Sequence, residues 1–206
     1  FITQSYEAQS KNENLHFRYD IPAEAQQQFL KLLKEKNFRL LYGWAQEYIP
    51  PISEEELQTT DGEWVTYAQN SAPSILAKSL QGKGSGWCIA GEQIAKTYLD
   101  KGDLSVYYTR DRDGSFTIPR VVIVGQGDRV TEVRGIEWEE NVDDAIKNTN
   151  IIGDTLKIIP GGDAFIETDQ DTKKLTAIDK KISTNEALNG DDLAFLYEVE
   201  KPIKYF

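Results

Sequence analysis

The only cysteine of the chain, Cys88, lies in Gly82-Lys-Gly-Ser-Gly-Trp-Cys-Ile-Ala-Gly-Glu-Gln-Ile-Ala-Lys-Thr-Tyr-Leu-Asp-Lys-Gly102. A glycine-rich loop opens this stretch and a helical pattern follows, so Cys88 falls in the predicted first turn. Free amides and the helix dipole stabilise a thiolate at such a place. The chemistry that would follow is cysteine-dependent hydrolysis or acyl transfer, which needs a proton acceptor. The only histidine, His16, lies far upstream, and Glu92 and Asp103 are the carboxylates nearest in sequence. A carboxylate alone activates a thiol poorly, because its charge disfavours the thiolate. The loop suggests a second chemistry. Lys83, Gly84, Ser85, Gly86 and Trp87 would present amides and one cation to a small anion at a helix start. The alternative is a loop kept glycine-rich only so that Trp87 can pack.

The helix that must position these groups has Ser85 as its expected N-cap. Trp87, Gly91, Ile94, Ala95, Tyr98 and Leu99 recur at helical spacing, and Lys101-Gly102 is a stop. In that phase Cys88 shares a face with Gly91, Ala95 and Leu99. The spacing therefore predicts a small, buried, unreactive thiol under Trp87.

Gly86-Trp87-Cys88, then Ala95, then Leu99 to Gly102 and a strand, resembles the transglutaminase-like core, in which the cysteine is the nucleophile. Those enzymes carry a histidine on a strand after the cysteine helix, and no histidine follows Cys88 here. Trp87-Cys88, Gly102-Asp103, Val106-Tyr107 and Pro119-Arg120 also resemble a group of uncharacterised bacterial, phage-related proteins across residues 80–136. That resemblance implies no activity.

Upstream of the loop, the pattern reads as helical over 21–80. Pro22 opens a helix marked by Phe29, Leu32, Leu33, Leu40 and Leu41, and Asn37-Phe38 is a candidate break. Pro50-Pro51 ends this part. Ser53-Glu54-Glu55-Glu56 is a helix start. Trp64 to Leu80 repeats helically apart from Pro73, which begins or kinks a segment. His16 sits in Leu15 to Tyr19, which alternates like a short strand.

After Gly102 the period becomes strand-like. Leu104 to Thr109, Phe116 to Val124 and Val130 to Ile136 predict a three-stranded antiparallel meander turned at Asp113-Gly114 and Gly125 to Asp128, with Pro119 at an edge or bulge. Gly125-Gln-Gly127 is not a dinucleotide turn, because a strand follows where a helix is needed. Asp111-Arg-Asp113-Gly114 lacks the flanking acids of a calcium loop. Trp138 to Asn150 predicts a short acidic helix. Ile151 to Ile159 reads as a strand or buried connector. Pro160-Gly161-Gly162 is the clearest break, and a last helix starts at Asp191.

The class is α+β. Residues 1–80 read as a mainly helical part, 81–160 as the loop, helix and meander, and 161–206 as a C-terminal subdomain, all within one compact unit. The 206 residues carry 34 acids against 23 bases, a net charge of −11. No basic footprint for nucleic acid stands out. No apolar run reaches membrane-spanning length. No Cys, His or carboxylate cluster has metal spacing, and no cofactor motif is present. One cysteine permits no internal disulfide, which suits a reducing compartment, so a cytoplasmic location is expected. The chain begins at Phe1 and has no methionine, so it is expected to be part of a longer protein. The favoured function is a non-catalytic binding or assembly domain of a larger soluble bacterial protein, with an unidentified protein and an anionic small molecule as its candidate partners. The alternative is a cysteine enzyme built on Cys88.

Overall fold

The computed structural model describes residues 21–48, 52–83, 85, 87–137 and 141–204. His16, Gly84 and Gly86 lie outside them. The described residues form an α+β fold with nine α-helices and a four-stranded antiparallel sheet in the order β1-β2-β3-β4.

Helix α1 (Ala23–Lys34) follows Pro22, whose fixed φ suits a helix entry. It ends where Lys36 takes φ 53°, which separates it from α2 (Phe38–Tyr48). Ala25, Phe29, Leu32 and Leu33 form its buried stripe and meet Leu41 and Trp44 of α2 in a small core of their own. The Phe29 and Trp44 rings lie 4.7 Å apart, and the Trp44 indole donates to the Ala25 carbonyl at 3.0 Å. A capping box between Ser53 and Glu56 starts α3 (Glu54–Gln58).

Strand β1 (Gly62–Tyr67) corrects the first part of the helical reading of 64–80, whose second part, from Pro73, is a helix. Trp64, Val65 and Ala68 fit helical spacing, but the run Trp64-Val-Thr-Tyr67 is aromatic and β-branched. It gains more by pairing with β2 (Leu104–Arg110), from Gly62↔Thr109 to Tyr67↔Leu104. The connection between them holds α4 (Pro73–Leu80), a single 3₁₀ turn (Cys88–Ala90) and α5 (Glu92–Leu99). Pro73 is the first residue of α4, where its missing N–H leaves no bond unmade.

The meander is as the period predicts. β3 (Phe116–Gln126) pairs with β2 and with β4 (Arg129–Gly135). Gly114 (φ 80°) and Gly127 (φ 63°) make the two hairpin turns. Tyr107 faces Val121 while Tyr108 faces Pro119. Arg120 is thus the extra residue of a bulge, beside the proline that cannot donate to the ladder.

Both faces of the sheet are covered. On one, α4 and α5 bring Leu76, Leu80, Ala95 and Leu99 onto Tyr67, Leu104, Val106, Tyr108, Val122 and Val124. On the other, Tyr107, Val121, Ile123 and Val130 meet Ile146 of α6 (Asp144–Lys147), Leu156 of α7 (Ile151–Leu156), and Phe165 and Ile166 of α8 (Gly162–Ser183). Double cover explains why β2 is buried from Leu104 through Thr109 rather than at alternate positions. Helix α7 occupies the stretch read as a strand or connector. Its Ile151, Ile152 and Leu156 fit a helix stripe laid on the sheet as well as they fit a strand. Gly161 (φ 74°) turns α7 into α8, where a side chain would collide with the Asp128 carbonyl. Helix α9 (Gly190–Leu196) starts on a second capping box, Asn189 with Asp192.

Candidate functional site

Trp87 decides the geometry around Cys88. Its indole is 4% exposed and donates to the Gly135 carbonyl at the end of β4 at 2.7 Å. The backbone at Trp87 is extended (φ −70°, ψ 135°). With Trp87 and Ile89 both turned inward, Cys88 between them points out and is exposed. This corrects the expectation of a buried thiol. The sequence pattern treats Ser85 to Leu99 as one helix. Instead a 3₁₀ turn ends at Gly91, whose ψ of 130° breaks the phase before α5 begins. Ala95 and Leu99 keep their inward positions, while Gly91 and Cys88 do not. Ser85 is buried but caps no helix. Its hydroxyl is 3.5 Å from the Trp87 amide, and Gly91 is the N-cap of α5.

Cys88 lies on a shallow hollow of about 220 Å³ bounded by Trp87, Ile89, Tyr98 of α5, Val122 and Val124 of β3, and Glu132 and Arg134 of β4. Arg134 Nε and Glu132 Oε2 are 2.5 Å apart, with both side chains about a third exposed. The wall is therefore apolar with one ion pair on it. That space includes the open solvent above it, and the enclosed part has room for about one water, so the hollow is a surface dimple rather than a site that encloses a small organic ligand.

Of the residues singled out from the sequence, the structure brings Trp87 and Cys88 together at this hollow. Lys83, Ser85, Glu92 and Asp103 do not line it. Glu92 is exposed in the first turn of α5. The Asp103 carboxylate accepts from the Gln69 amide at 2.7 Å, and the Asp103 carbonyl accepts from Gly125. Asp103 thereby ties the β1–α4 turn to the sheet. Glu132 and Arg134 were not legible as neighbours of Cys88, because only the antiparallel register of β4 on β3 brings them there, and Tyr98 was not, because the helical phase breaks at Gly91. Among the described residues no group of three or more His, Cys, Asp or Glu could hold a metal ion. No helix among them is long and apolar enough to cross a membrane.

Two further polar clusters are chemically suggestive and closed to ligands. Arg120 is fully buried and uses all five N–H donors. Nε and Nη2 bond the two Asp143 oxygens at 3.1 and 2.6 Å, Nη2 also bonds the Leu57 carbonyl at 2.7 Å, and Nη1 bonds the Thr59 carbonyl at 2.7 Å and Thr109 Oγ1 at 3.2 Å. Asp143 also caps α6 through the Ile146 amide. This cluster fastens the α3–β1 loop and α6 to the β3 bulge. The hydroxyls of Tyr67, Tyr108 and Ser79 form a triangle with sides of 2.7–2.9 Å. Burial, and then the Tyr67 hydroxyl, push the Tyr108 ionisation far above the ordinary range against the opposing bond from Ser79. It remains a neutral phenol at any ordinary pH.

The fold and the hollow define an α+β protein with a helix-covered antiparallel sheet and one exposed thiol on an apolar depression. Comparison of the sequence with models of protein families and with curated proteins, and of the structure with solved structures, gives no match.

Proposed function

We infer that the chain is a non-catalytic binding or assembly domain that meets a partner protein through apolar helical surface. The observation that carries this reading is on α9. Leu193, Leu196 and Tyr197 stand at i, i+3 and i+4, hence on one face. They are 42%, 36% and 79% exposed, and Val199 just beyond is 71% exposed. Single exposed apolar side chains are ordinary, whereas a grouped set on one element marks a contact surface. The net charge of −11 keeps nucleic acid an unfavourable partner. The test is photocrosslinking from benzoylphenylalanine at position 197, with the protein made in a bacterial cell, the source class that the resemblance implies. A discrete protein adduct from position 197, missing from the same probe at exposed Lys173 of α8, supports the reading. No adduct at either position refutes it.

A second reading makes Cys88 a nucleophile, and its exposure on the hollow favours it. Cleavage of an activated thioester by the wild type and not by Cys88→Ala would place this reading first.

A further inference from the structure

Helix α8 carries a stripe at spacings of four, three, four and three residues: Glu167, Asp171, Lys174, Ile178 and Lys181. These positions share one face of a helix. Acids occupy its first half and bases its second, and Ile178 is its one buried apolar side chain. The residues after the Thr184–Asn189 turn run back along this stripe, set opposite charges against both of its ends and place an aromatic ring on Lys174 between them. Asp192 meets Lys181 at 2.6 Å, the Phe195 ring lies 4.8 Å from Lys174 Nζ, and Lys201 reaches Glu167 at 3.0 Å and Asp171 at 3.3 Å. Lys204 pairs with Glu167, and its amide donates to Asp171 at 3.0 Å. Asp171 is 4% exposed, and both of its oxygens face this returning segment. No apolar residue of the segment is fully buried: Leu193, Leu196, Tyr197 and Val199 face outward, and Phe195 and Ile203 are half-buried.

The geometry points to a docking track on α8 for a short helix bearing an acid and an aromatic ring followed by a Lys-x-x-Lys pair, a track that the chain's own residues 190–204 fill as a detachable arm. Ion pairs with little apolar burial beneath them are weakened by salt, whereas the sheet core is not. The arm therefore leaves α8 as a unit while the rest of the fold stays closed, and it leaves the track open to a second segment of the same pattern. Glu167 and Asp192 are held below the usual carboxylate range first of all by hydrogen bonds from Lys204 and Lys181 respectively, consistent with charge as the main tie. The inference stands whether or not α9 meets a partner.

Hydrogen exchange read by mass spectrometry on the full chain tests it. Raising the salt concentration from low to molar should cut protection of the α9 and 198–204 amides about tenfold, with β2 and β3 amides unmoved. Lys201→Ala/Lys204→Ala at low salt should bring the arm to its high-salt rate. Asp192→Asn, at the opposite end, should do so in part. Lys173→Ala, which removes the exposed off-stripe pair with Asp169, should leave the arm unchanged. Arm amides that exchange in step with β2 and β3, or that ignore salt and both arm variants, would overturn the proposal.

Discussion

Replacing Arg120 with methionine tests whether its cluster is structural in the way the geometry implies. Methionine keeps much of the volume of the stem and removes every donor. Asp143, whose side chain is 6% exposed, is left as a carboxylate without its cation, and removing one partner of a buried pair costs about 3–5 kcal/mol. The Leu57 and Thr59 carbonyls lose a charged donor. They are half-buried and regain part of it from water, so roughly 1 kcal/mol is added rather than the full desolvation cost. The expected loss is therefore about 4–6 kcal/mol, a large part of the ~5–15 kcal/mol that holds a domain together. With a urea m-value of about 2–3 kcal/mol per molar, the unfolding midpoint should fall by about 2 M. Arg120→Met/Asp143→Asn removes both charges and keeps an amide oxygen to cap α6, so it should recover more than half of that loss. Urea unfolding followed by tryptophan fluorescence reads both variants. Arg120→Met moving the midpoint by less than ~0.3 M, or the double variant being no more stable than Arg120→Met alone, would refute the reasoning.

Cys88 in the folded protein should react with iodoacetamide within a few-fold of a free model thiol, because the side chain is exposed; a rate that follows global unfolding would contradict its placement. Leu99→Ala, at a fully packed position of the larger core, should cost about 2–5 kcal/mol by thermal or urea unfolding, whereas Cys88→Ala should fall within ~0.5 kcal/mol. Trp87→Phe keeps an aromatic ring but loses the bond to the Gly135 carbonyl and leaves a gap where the rest of the buried indole packed, which should cost about 1–4 kcal/mol and raise the exchange rate of the 3₁₀ turn. The arm should also respond to pH. Glu167 and Asp192 are depressed, so their contribution is present above the ordinary carboxylate range and is lost as pH falls through their folded values. Lys181 and Lys201 are raised, first of all by hydrogen bonds to Asp192 and Glu167, so theirs is present below the ordinary lysine range and is lost as pH rises through the folded values. Arm protection at low salt should thus hold at neutral pH and fall on both sides, and a monotonic profile would show that other groups govern it.

The elements legible in the sequence were those whose signal is local. The helix start at Ser53, the start or kink at Pro73, the turns at Gly114 and Gly127 and the edge or bulge at Pro119 each follow from the backbone demands of one or two residues, and the structure takes the start at Pro73 and the bulge beside Pro119. The α+β class follows from the change of period at Gly102. Elements decided by tertiary partners were not legible. β1 becomes a strand because β2 offers it Tyr107 and Tyr108, with the Trp64 ring tilted against Tyr107 at 5.1 Å and Tyr67 bonded to Tyr108. Helix α7 is a helix because its stripe lands on Val121, Ile123 and Val133. Neither partner is near in sequence.

Cys88 shows how one local conformation inverts a functional reading. A helical wheel from Ser85 to Leu99 gives a buried thiol only if the phase runs unbroken across Gly91. Glycine is the residue in that run least committed to a helix, and the indole of Trp87 has a buried acceptor to reach across the sheet at Gly135. Seating Trp87 fixes an extended residue before the 3₁₀ turn, and that turn ends at Gly91 with the phase reset. The exposed thiol and the hollow beside it are therefore consequences of how Trp87 packs. Gly91 serves that packing by resetting the phase, and the chemistry open to Cys88 depends on Tyr98 of α5 and on Glu132 and Arg134, the last two of which only the register of β4 against β3 brings to it.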